Sequence, residues 1–461
     1  MKARIEKDSM GEMSVPANAY YGASTMRAVQ NFPISKLRFG RGFIRAIGLI
    51  KLTAAQTNVE LGLLDKKIGK SIVAAADEVV DGSLDDEFVV DIFQTGSGTS
   101  TNMNANEVIA NRATELLGGK LGERLIHPND MVNMGQSSND VIPTAIHLAG
   151  LMAIRDDLIP ALAGLKSSLD QKACEFWPVI KTGRTHLQDA TPIRLGQEFQ
   201  GYASQVEKSL HRLDVAINEL SELAIGGTAV GTGVNTHKEF ASKVCSRISD
   251  ILGVRLQESS AHFQAQCTLD GLVASSGSLR AVSISLMKIA NDIRWLGSGP
   301  RAGLGELLLP EVQPGSSIMP GKVNPVIAES LIQVVAQVIA GDAAVAMAGQ
   351  GGFFELNMMM PVAGFNFLQS IELIASAAKN FDHQCVSGLK ATSKGPEMVE
   401  RGLAIATALA PIVGYDKAAD IAKEAAKSGR TVFEVAKEVT ELSRDDLTRI
   451  LDPEKMTEPG S

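Results

Sequence analysis

Four short polar regions hold the side chains of this sequence that are best suited to chemistry. They cover residues 94–102, 127–130 with 136–140, 183–186 and 315–324, and they are rich in short hydroxyl and amide side chains. Such groups donate hydrogen bonds, and a buried dicarboxylate needs donors around it. Helices that begin after these regions would add backbone N–H groups and the positive ends of their dipoles. The regions therefore indicate a site for a small anion.

Each polar region also has a simpler interpretation as an ordinary loop. Loops favour Gly, Ser, Asn and Pro because these residues turn the chain and cap helices. For any single region the loop interpretation is the stronger one. Four such regions, spread along the chain between long helical stretches, favour convergence on one site.

Several other kinds of active site are disfavoured by residue spacing. Gly315, Gly321 and Lys322 resemble a phosphate-binding loop, but the spacing is one residue too long and Val323 stands where Ser or Thr should be. The glycine-rich stretch 226–233 does not follow G-x-G-x-x-G, and neither G-x-S-x-G nor H-E-x-x-H occurs. Nucleotide-binding, serine hydrolase and metalloprotease functions are therefore excluded.

Composition and charge disfavour proteins that bind nucleic acid or membranes. The chain has 461 residues, 45% of them hydrophobic, which is enough for about three domains with a large core. Its 44 Lys and Arg against 52 Asp and Glu disfavour sequence-independent binding to nucleic acid or to an anionic membrane. The charged N-terminus lacks a signal peptide, and no uninterrupted apolar run reaches about 18 residues. We expect a soluble, cytoplasmic protein.

The four cysteines predict free thiols rather than a disulfide framework or a zinc site. No two of them have C-x-x-C spacing, and none lies near a histidine at a metal-ligand interval. Small buried thiols in a reducing compartment are the simplest interpretation. We expect no metal site.

The elements that must position the polar regions are predicted to be long helices. Apolar residues recur in alternating steps of four and three from Phe199 to Leu220, and again over 279–296. A third helix is expected from Asn324 and Pro325, an N-cap residue followed by proline, to about Met347. Strand signals are sparse, which predicts a mainly α fold rather than a doubly wound α/β fold.

We expect three domains: a mixed, largely helical N-terminal domain (1–136), a central long-helix bundle (137–388) and a small helical C-terminal domain (389–461). The last of these contains capping-box spacings at Thr431 to Glu434 and Ser443 to Asp446. Such long helices usually belong to a bundle or to an oligomer interface.

The segment GSSIMPGKVNP, residues 315–325, resembles the signature of the fumarase/aspartase superfamily. Its members add or eliminate water, ammonia or an amine across the double bond of fumarate. The regions that begin at Thr95, His127 and Gly183 resemble the class II fumarases in particular, and the likeness extends over essentially the whole chain. It implies a mainly α fold with a central long-helix bundle, and a homotetramer in which three chains build each active site. It also implies dicarboxylate substrates, fumarate and L-malate, and no cofactor.

The resemblance implies catalytic roles at both ends of the substrate. Ser316 resembles the base that removes a proton next to a malate carboxylate. Lys322 and Asn324 would stabilise the aci-carboxylate that forms. His186 would handle the departing hydroxyl group, with Thr185 beside it and Glu329 paired to it. Without the resemblance, Ser316 would be a turn residue, His186 a structural histidine and Glu329 an acid favoured by the helix dipole.

The remaining site residues implied by the resemblance fall into two sets. The contacts to substrate come from Ser97, Gly98, Thr99, Arg124, Ser137, Ser138, Asn139, Ser317 and Val323. A second anion site comes from His127, Pro128, Asn129 and Asp130, and Arg124 matches that site as well.

Two alternative functions share the same scaffold. Aspartate ammonia-lyases carry the same signature loop, but they typically have a GGAG-like segment at residues 95–98 and Ser-Thr-Asn at residues 137–139. This chain has Thr-Gly-Ser-Gly and Ser-Ser-Asn there. A non-catalytic structural relative should have lost catalytic side chains from the polar regions by substitution, and here these side chains are all present.

Overall fold

The computed structural model describes residues 3–459 of the chain. Helices dominate these residues, so the predicted mainly α fold is confirmed. The helices are α1 Ala23–Asn31, α2 Arg41–Glu60, α3 Lys66–Asp81, α4 Thr99–Leu116, α5 Ser138–Ala153, α6 Ile159–Glu175, α7 Leu195–Leu220, α8 Phe240–Leu252, α9 His262–Cys267, α10 Asp270–Leu296, α11 Val326–Gly349, α12 Met360–Gln384, α13 Lys394–Val399, α14 Ala410–Val413, α15 Tyr415–Ser428, α16 Val432–Val439 and α17 Arg444–Ile450.

Strands are short and form two-stranded sheets. They are β1 Ala3–Asp8, β2 Gly11–Pro16, β3 Ile180–Thr185, β4 Gln188–Arg194, β5 Glu222–Leu223, β6 Gln257–Glu258, β7 Leu307–Leu308, β8 Gly352–Phe353, β9 Leu356–Asn357 and β10 Lys390–Ala391. The pairs β1–β2, β3–β4, β8–β9 and β7–β10 are antiparallel, and β5–β6 is parallel.

Five of the seven residues in the predicted seam of α7 are buried, and Leu210 and Ile217 are half-buried. Phe199, Val206, Leu213 and Leu220 recur every seven residues, and all four are buried. This is the pattern of a helix packed along its whole length. The predicted capping box at Thr431 is confirmed: its hydroxyl accepts from the Glu434 N–H of α16, and the Glu434 carboxylate accepts from the Thr431 N–H. The box predicted at Ser443 is only partly formed: the Ser443 hydroxyl accepts from the N–H of Asp446 in α17.

Two compact units make up the described residues. One contains residues up to 160, 211–283 and 336–375, and the other contains 161–210, 284–335 and the residues from 376 onwards. Each of α7, α10, α11 and α12 contributes residues to both units. The predicted domain limits after residues 136 and 388 stay a prediction.

The core of the first unit is built around α2, which packs on α3, α5 and α8. Its buried side chains include Phe43, Ile47 and Ile50. Gly48 lets α3 approach closely, since a Cβ atom there would lie 3.0 Å from side-chain carbons of Val79 and Val80. In the second unit, β3 packs against α13, and β4 against a 3-10 segment, Leu403–Leu409.

One described helix, α11, is long and apolar enough to span a membrane by length and composition alone. It contains two acidic residues, Glu329 and Asp342, which interrupt the apolar sequence. Asp342 is buried and accepts hydrogen bonds from Ser276 Oγ at 2.7 Å and Arg280 Nη1 at 2.6 Å. A core helix of a bundle can have the same composition.

Candidate active site

A chain of three hydroxyl groups joins two of the four polar regions. Thr99 Oγ1 lies 2.8 Å from Ser97 Oγ and 2.7 Å from Ser138 Oγ. Thr99 is the first residue of α4 and Ser138 is the first residue of α5, so the N-terminal ends of both helices meet here. Both dipoles therefore place their positive ends at the hydroxyl groups, which is a favourable environment for an anion.

The start of α4 requires glycine at position 98. Gly98 is the N-cap residue with φ of +73°, and it supplies no side chain to cap the helix. A Cβ atom there would lie 2.9 Å from side-chain carbons of Ile142 in α5. The close approach of the two helices thus depends on the absence of that atom.

Asp140 holds the start of α5 in place. Its Oδ1 accepts from the Ser137 N–H at 2.9 Å, and its Oδ2 accepts from the N–H groups of Gly226 at 3.0 Å and Thr228 at 2.9 Å. Burial raises the pKa of Asp140, while these donors and the charge of Lys51 oppose the change. The side-chain amide of Asn139 adds a bond to the carbonyl of Ala229 at 2.7 Å. The glycine-rich stretch 226–233 therefore supports residues 137–139.

The residues of the predicted second anion site lie in one turn. Pro128–Val132 forms a π-helical turn, and His127 Nδ1 at its N-cap accepts from the Asp130 N–H at 3.1 Å. Arg124, three residues earlier, has φ of +53°, an uncommon backbone conformation for a residue with a side chain. The anion-binding role of this turn stays a prediction.

Thr185 and His186 lie at the tip of the β3–β4 hairpin. Thr185 pairs with Gln188, so His186 and Leu187 form a two-residue turn, with φ of +57° and +61°. Positive φ at both positions is the pattern of a type I′ turn, which normally selects Gly or Asn. Leucine and histidine in that conformation are strained, and such strain concentrates at functional sites. Both side chains are exposed.

A buried ionic network anchors this hairpin. Lys181 Nζ lies 3.0 Å from Glu198 Oε1 and 2.9 Å from Glu306 Oε2, and Arg184 Nη2 contacts the other Glu306 oxygen. Burial would raise the pKa of Glu306, but Arg184 and Lys181 outweigh it and lower that pKa. Arg184 directly precedes Thr185, so the network restrains the strand that ends at the tip.

The loop 315–324 is closed by two hydrogen bonds. The Gly315 N–H donates to the Lys322 carbonyl at 2.7 Å, and Asn324 Nδ2 donates to the Gly315 carbonyl at 2.6 Å. The side chain of Asn324 therefore closes the loop instead of capping α11, which begins two residues later than the predicted N-cap. A Cβ atom on Gly315 would lie 2.4 Å from the Lys322 carbonyl oxygen, so only glycine fits there.

The Ser316 hydroxyl oxygen accepts two backbone hydrogen bonds within this loop. The N–H groups of Ile318 and Met319 donate to Oγ at 3.2 Å and 3.0 Å. Two donors on one oxygen stabilise negative charge on it, which is what a serine base needs. Among residues 3–459, the Lys322 side chain makes no hydrogen bond or ion pair, so its charge is free for a ligand.

Not all the predicted partners meet within the second unit. In its described part, His186, Ser316 and Glu329 share no hydrogen bond or ion pair with one another. Glu329 lies in the first turn of α11, where its N–H donates to the Pro325 carbonyl at 3.0 Å. The pairing of His186 with Glu329 stays a prediction.

One buried residue near the hydroxyl chain was missed by sequence reasoning. Lys51 Nζ donates to Asn102 Oδ1 at 2.8 Å, Asn133 Oδ1 at 3.0 Å and Gln136 Oε1 at 2.9 Å. Its position four residues after the buried Ile47, on the apolar face of α2, is the signal that marks it.

Known proteins match the chain over its whole length. A family model described as lyase matches residues 11–340, and one described as the fumarase C C-terminus matches residues 405–458. A class II fumarate hydratase of Halobacterium salinarum is 56% identical over 99% of this chain and 97% of its own. A second one, from Bradyrhizobium diazoefficiens, is 51% identical with the same coverage.

A solved structure shows the same fold. The class II fumarase of Schistosoma mansoni superposes with a TM-score of 0.98 and 37% identity, and the match covers 100% of both chains. The likeness predicted from the four polar regions is therefore confirmed. This chain belongs to the fumarase/aspartase superfamily of lyases and, within it, to the class II fumarases.

Proposed function

We propose that this chain is a fumarate hydratase, which interconverts fumarate and L-malate by anti addition and elimination of water. The observation that supports this most is full-length similarity to relatives named fumarate hydratase, with every predicted catalytic side chain present. The segments at residues 95–98 and 137–139 differ from the usual aspartase pattern, which agrees with the names of those relatives.

In this proposal, one carboxylate of the substrate binds at the hydroxyl chain. Ser97, Thr99 and Ser138 can each rotate a hydroxyl hydrogen toward an anion, and the two helix dipoles add to the attraction. The buried position of Ser97 reduces competition with water at this end.

The other carboxylate binds beside the loop 315–324. Lys322 supplies a positive charge, and Asn324 has a second amide N–H besides the one that closes the loop. Both groups stabilise the negative charge that accumulates on this carboxylate during the reaction. Such preorganised donors usually contribute the largest part of the rate enhancement.

Dehydration then follows two steps. Ser316, as an alkoxide, takes a proton from the carbon next to this carboxylate, and the C–H electron pair moves into the carboxylate to form the aci-carboxylate. The pair returns to form the double bond as the C–O bond of the hydroxyl group breaks. His186 supplies the proton that turns the departing hydroxide into water, and Glu329 supports the charged imidazole. No cofactor is required by these steps, because protein groups stabilise each charge.

We further propose a homotetramer in which different chains contribute the hydroxyl chain, the hairpin tip and the loop 315–324. Two facts support this assembly. His186 and Glu329 share no hydrogen bond or ion pair in the described part of one chain, and long helices expose large apolar side chains. These exposed residues are Ile284 and Trp295 of α10, and Ile339 and Met347 of α11. Exposed apolar residues along long helices mark an interaction surface.

This assembly also accounts for the apolar composition of α11. Only 39% of the most apolar 18-residue stretch of α11 is buried within one chain. Packing against other copies would cover the remainder without any membrane. We therefore propose a cytoplasmic enzyme.

A spectroscopic assay tests the proposed function. The ultraviolet absorbance of fumarate should rise when the protein is given L-malate and should not rise with L-aspartate. Activity on L-aspartate alone would identify an aspartate ammonia-lyase instead. Absence of activity on both compounds would favour a structural relative and would contradict the proposal.

A further inference from the structure

One buried lysine donates hydrogen bonds to both polar regions that form the hydroxyl chain. Lys51 belongs to the core helix α2 and is fully buried. Its three acceptors come from two places: Asn102 is in the first turn of α4, while Asn133 and Gln136 lie in the turn before α5. Lys51 therefore links the starts of both helices.

The chemistry of the ammonium group matches this arrangement. An ammonium group has three N–H donors, and all three find an amide oxygen within 3.0 Å. No uncharged side chain of similar length offers three donors from one atom. Methionine or leucine would satisfy the packing of α2 but would leave the amide oxygens of Asn102 and Gln136 without the donor that Lys51 supplies.

The acceptors are themselves fixed by further bonds. Asn133 Oδ1 also accepts from Asn102 Nδ2 at 3.1 Å, and Asn133 Nδ2 donates to the Gln136 carbonyl at 3.1 Å. Gln136 Nε2 donates to the carbonyls of Val132 and Met134 at 3.1 Å and 3.2 Å. The side-chain amides of Asn133 and Gln136 are therefore held in one orientation. The turn that contains them, residues 132–136, leads directly into Ser137.

Burying the ammonium group of Lys51 costs free energy, and the packing of α2 alone would not require a charged side chain at this position. Burial lowers the pKa of Lys51 to about 7, and the negative charge of Asp140 works in the opposite direction. Asp140 in turn holds the Ser137 N–H on the other side of the same turn. The turn is therefore restrained by Lys51 through Asn133 and Gln136, and by Asp140 through the Ser137 N–H.

We propose that Lys51 is a positioning residue for the dicarboxylate site. Its ammonium group ties Asn102 to Asn133 and Gln136, and thereby sets the distance between Thr99 and Ser138. This inference rests on the proposed function for the identity of the ligand. Lys51 does not touch the substrate and acts only through its three amide partners.

The test compares Lys51→Met with a matched control, Lys172→Met. Lys172 is another buried lysine, in α6 of the second unit, and it donates to Glu175 Oε2 at 2.7 Å and the Leu389 carbonyl at 2.8 Å. Both variants lose a buried ammonium group, so both should lower thermal stability. Only Lys51→Met should raise the KM for L-malate, by about tenfold, with kcat changed by less than about threefold.

Hydrogen exchange measured by mass spectrometry gives a second readout that needs no activity. In the free full-length protein, Lys51→Met should speed amide exchange in residues 133–140 by about tenfold and leave α3 unchanged. A KM within about twofold of the wild-type value, or unchanged exchange in residues 133–140, would overturn the inference. If the wild type did not convert L-malate, the proposed function would fail, and the exchange result would still decide whether Lys51 orders the turn.

A milder variant covers the case in which Lys51→Met does not fold. Gln136→Met removes one of the three acceptors and leaves Lys51 in place. It should raise KM and speed exchange in the same residues, by about threefold. Wild-type values of both quantities in Gln136→Met would also overturn the inference.

Discussion

Thr99 and Ser138 are 39 residues apart in the chain, yet their hydroxyl oxygens lie 2.7 Å apart. Each residue begins a helix, so the contact brings together two helix N-termini as well as two hydroxyl groups. Since such ends attract anions, this pair marks one end of the proposed dicarboxylate site.

Replacing Thr99 by valine should weaken substrate binding. The change keeps the shape of the side chain and removes the hydroxyl that links Ser97 to Ser138. We expect the KM for L-malate to rise by about tenfold, while the thermal midpoint falls by only a few degrees. Steady-state kinetics and thermal unfolding measure the two effects. Thr448→Val, at an exposed position of α17, is the control and should leave KM unchanged.

Replacing Ser316 by alanine should abolish turnover without disturbing the fold. The proposed base would be lost, and kcat should fall by about a thousandfold or more. Ser278→Ala, which removes an exposed hydroxyl from α10, should retain wild-type turnover. Near-normal turnover by Ser316→Ala in the L-malate assay would show that the base is another group.

Replacing Gly315 by alanine should open the loop 315–324. The added methyl group would collide with the Lys322 carbonyl and break the bond that closes the loop. We expect kcat/KM to fall by at least about a hundredfold. Gly321→Asn is the matched control, because Gly321 has φ of +75° and open space around it, and asparagine tolerates that conformation. If both variants kept wild-type kcat/KM, loop closure would have no part in catalysis.

Mixing two inactive variants should test the shared active site. Ser316→Ala and His186→Asn should each be inactive as pure proteins. If the two residues of one site come from different chains, dissociation and reassembly of an equal mixture should restore about a quarter of the wild-type activity. No recovery, with mixed tetramers shown by native mass spectrometry, would place both residues of a site on one chain.

Acid should remove the stabilising contribution of Asp91. This buried carboxylate accepts from Ser35 N at 2.5 Å and Phe93 N at 2.9 Å, and Arg38 lies 3.3 Å away. Burial would raise its pKa, but these partners outweigh burial and lower the pKa below the ordinary 3.8. The unfolded chain therefore binds the proton first, and stability from this group falls as pH drops below about 3.8.

The measurement is the thermal midpoint of the wild type and Asp91→Asn at equal protein concentration. At pH 7 the variant should be less stable by about 2 kcal/mol. The difference should shrink as pH falls from 4 toward 2. A difference that is constant over this range would show that the charge of Asp91 contributes nothing.

Periodicity and local spacing were enough to predict much of the fold. The buried seam of α7 follows from the heptad steps of Phe199, Val206, Leu213 and Leu220, because the helical repeat alone decides which residues share a face. The capping box at Thr431 and the N-cap at Ser443 follow from a three-residue spacing that involves only neighbouring residues. The polar regions stood out because their composition suits hydrogen-bond donation to an anion.

The sequence by itself thus determined which residues form helices, which helical faces are buried and which side chains are available for chemistry. Only the tertiary structure decided that Thr99 meets Ser138, that Lys51 finds its three amide partners, and that Asp140 binds the backbone of Gly226 and Thr228. These contacts join segments that are tens of residues apart. Their geometry depends on how whole helices pack, and no local pattern of residues encodes that packing.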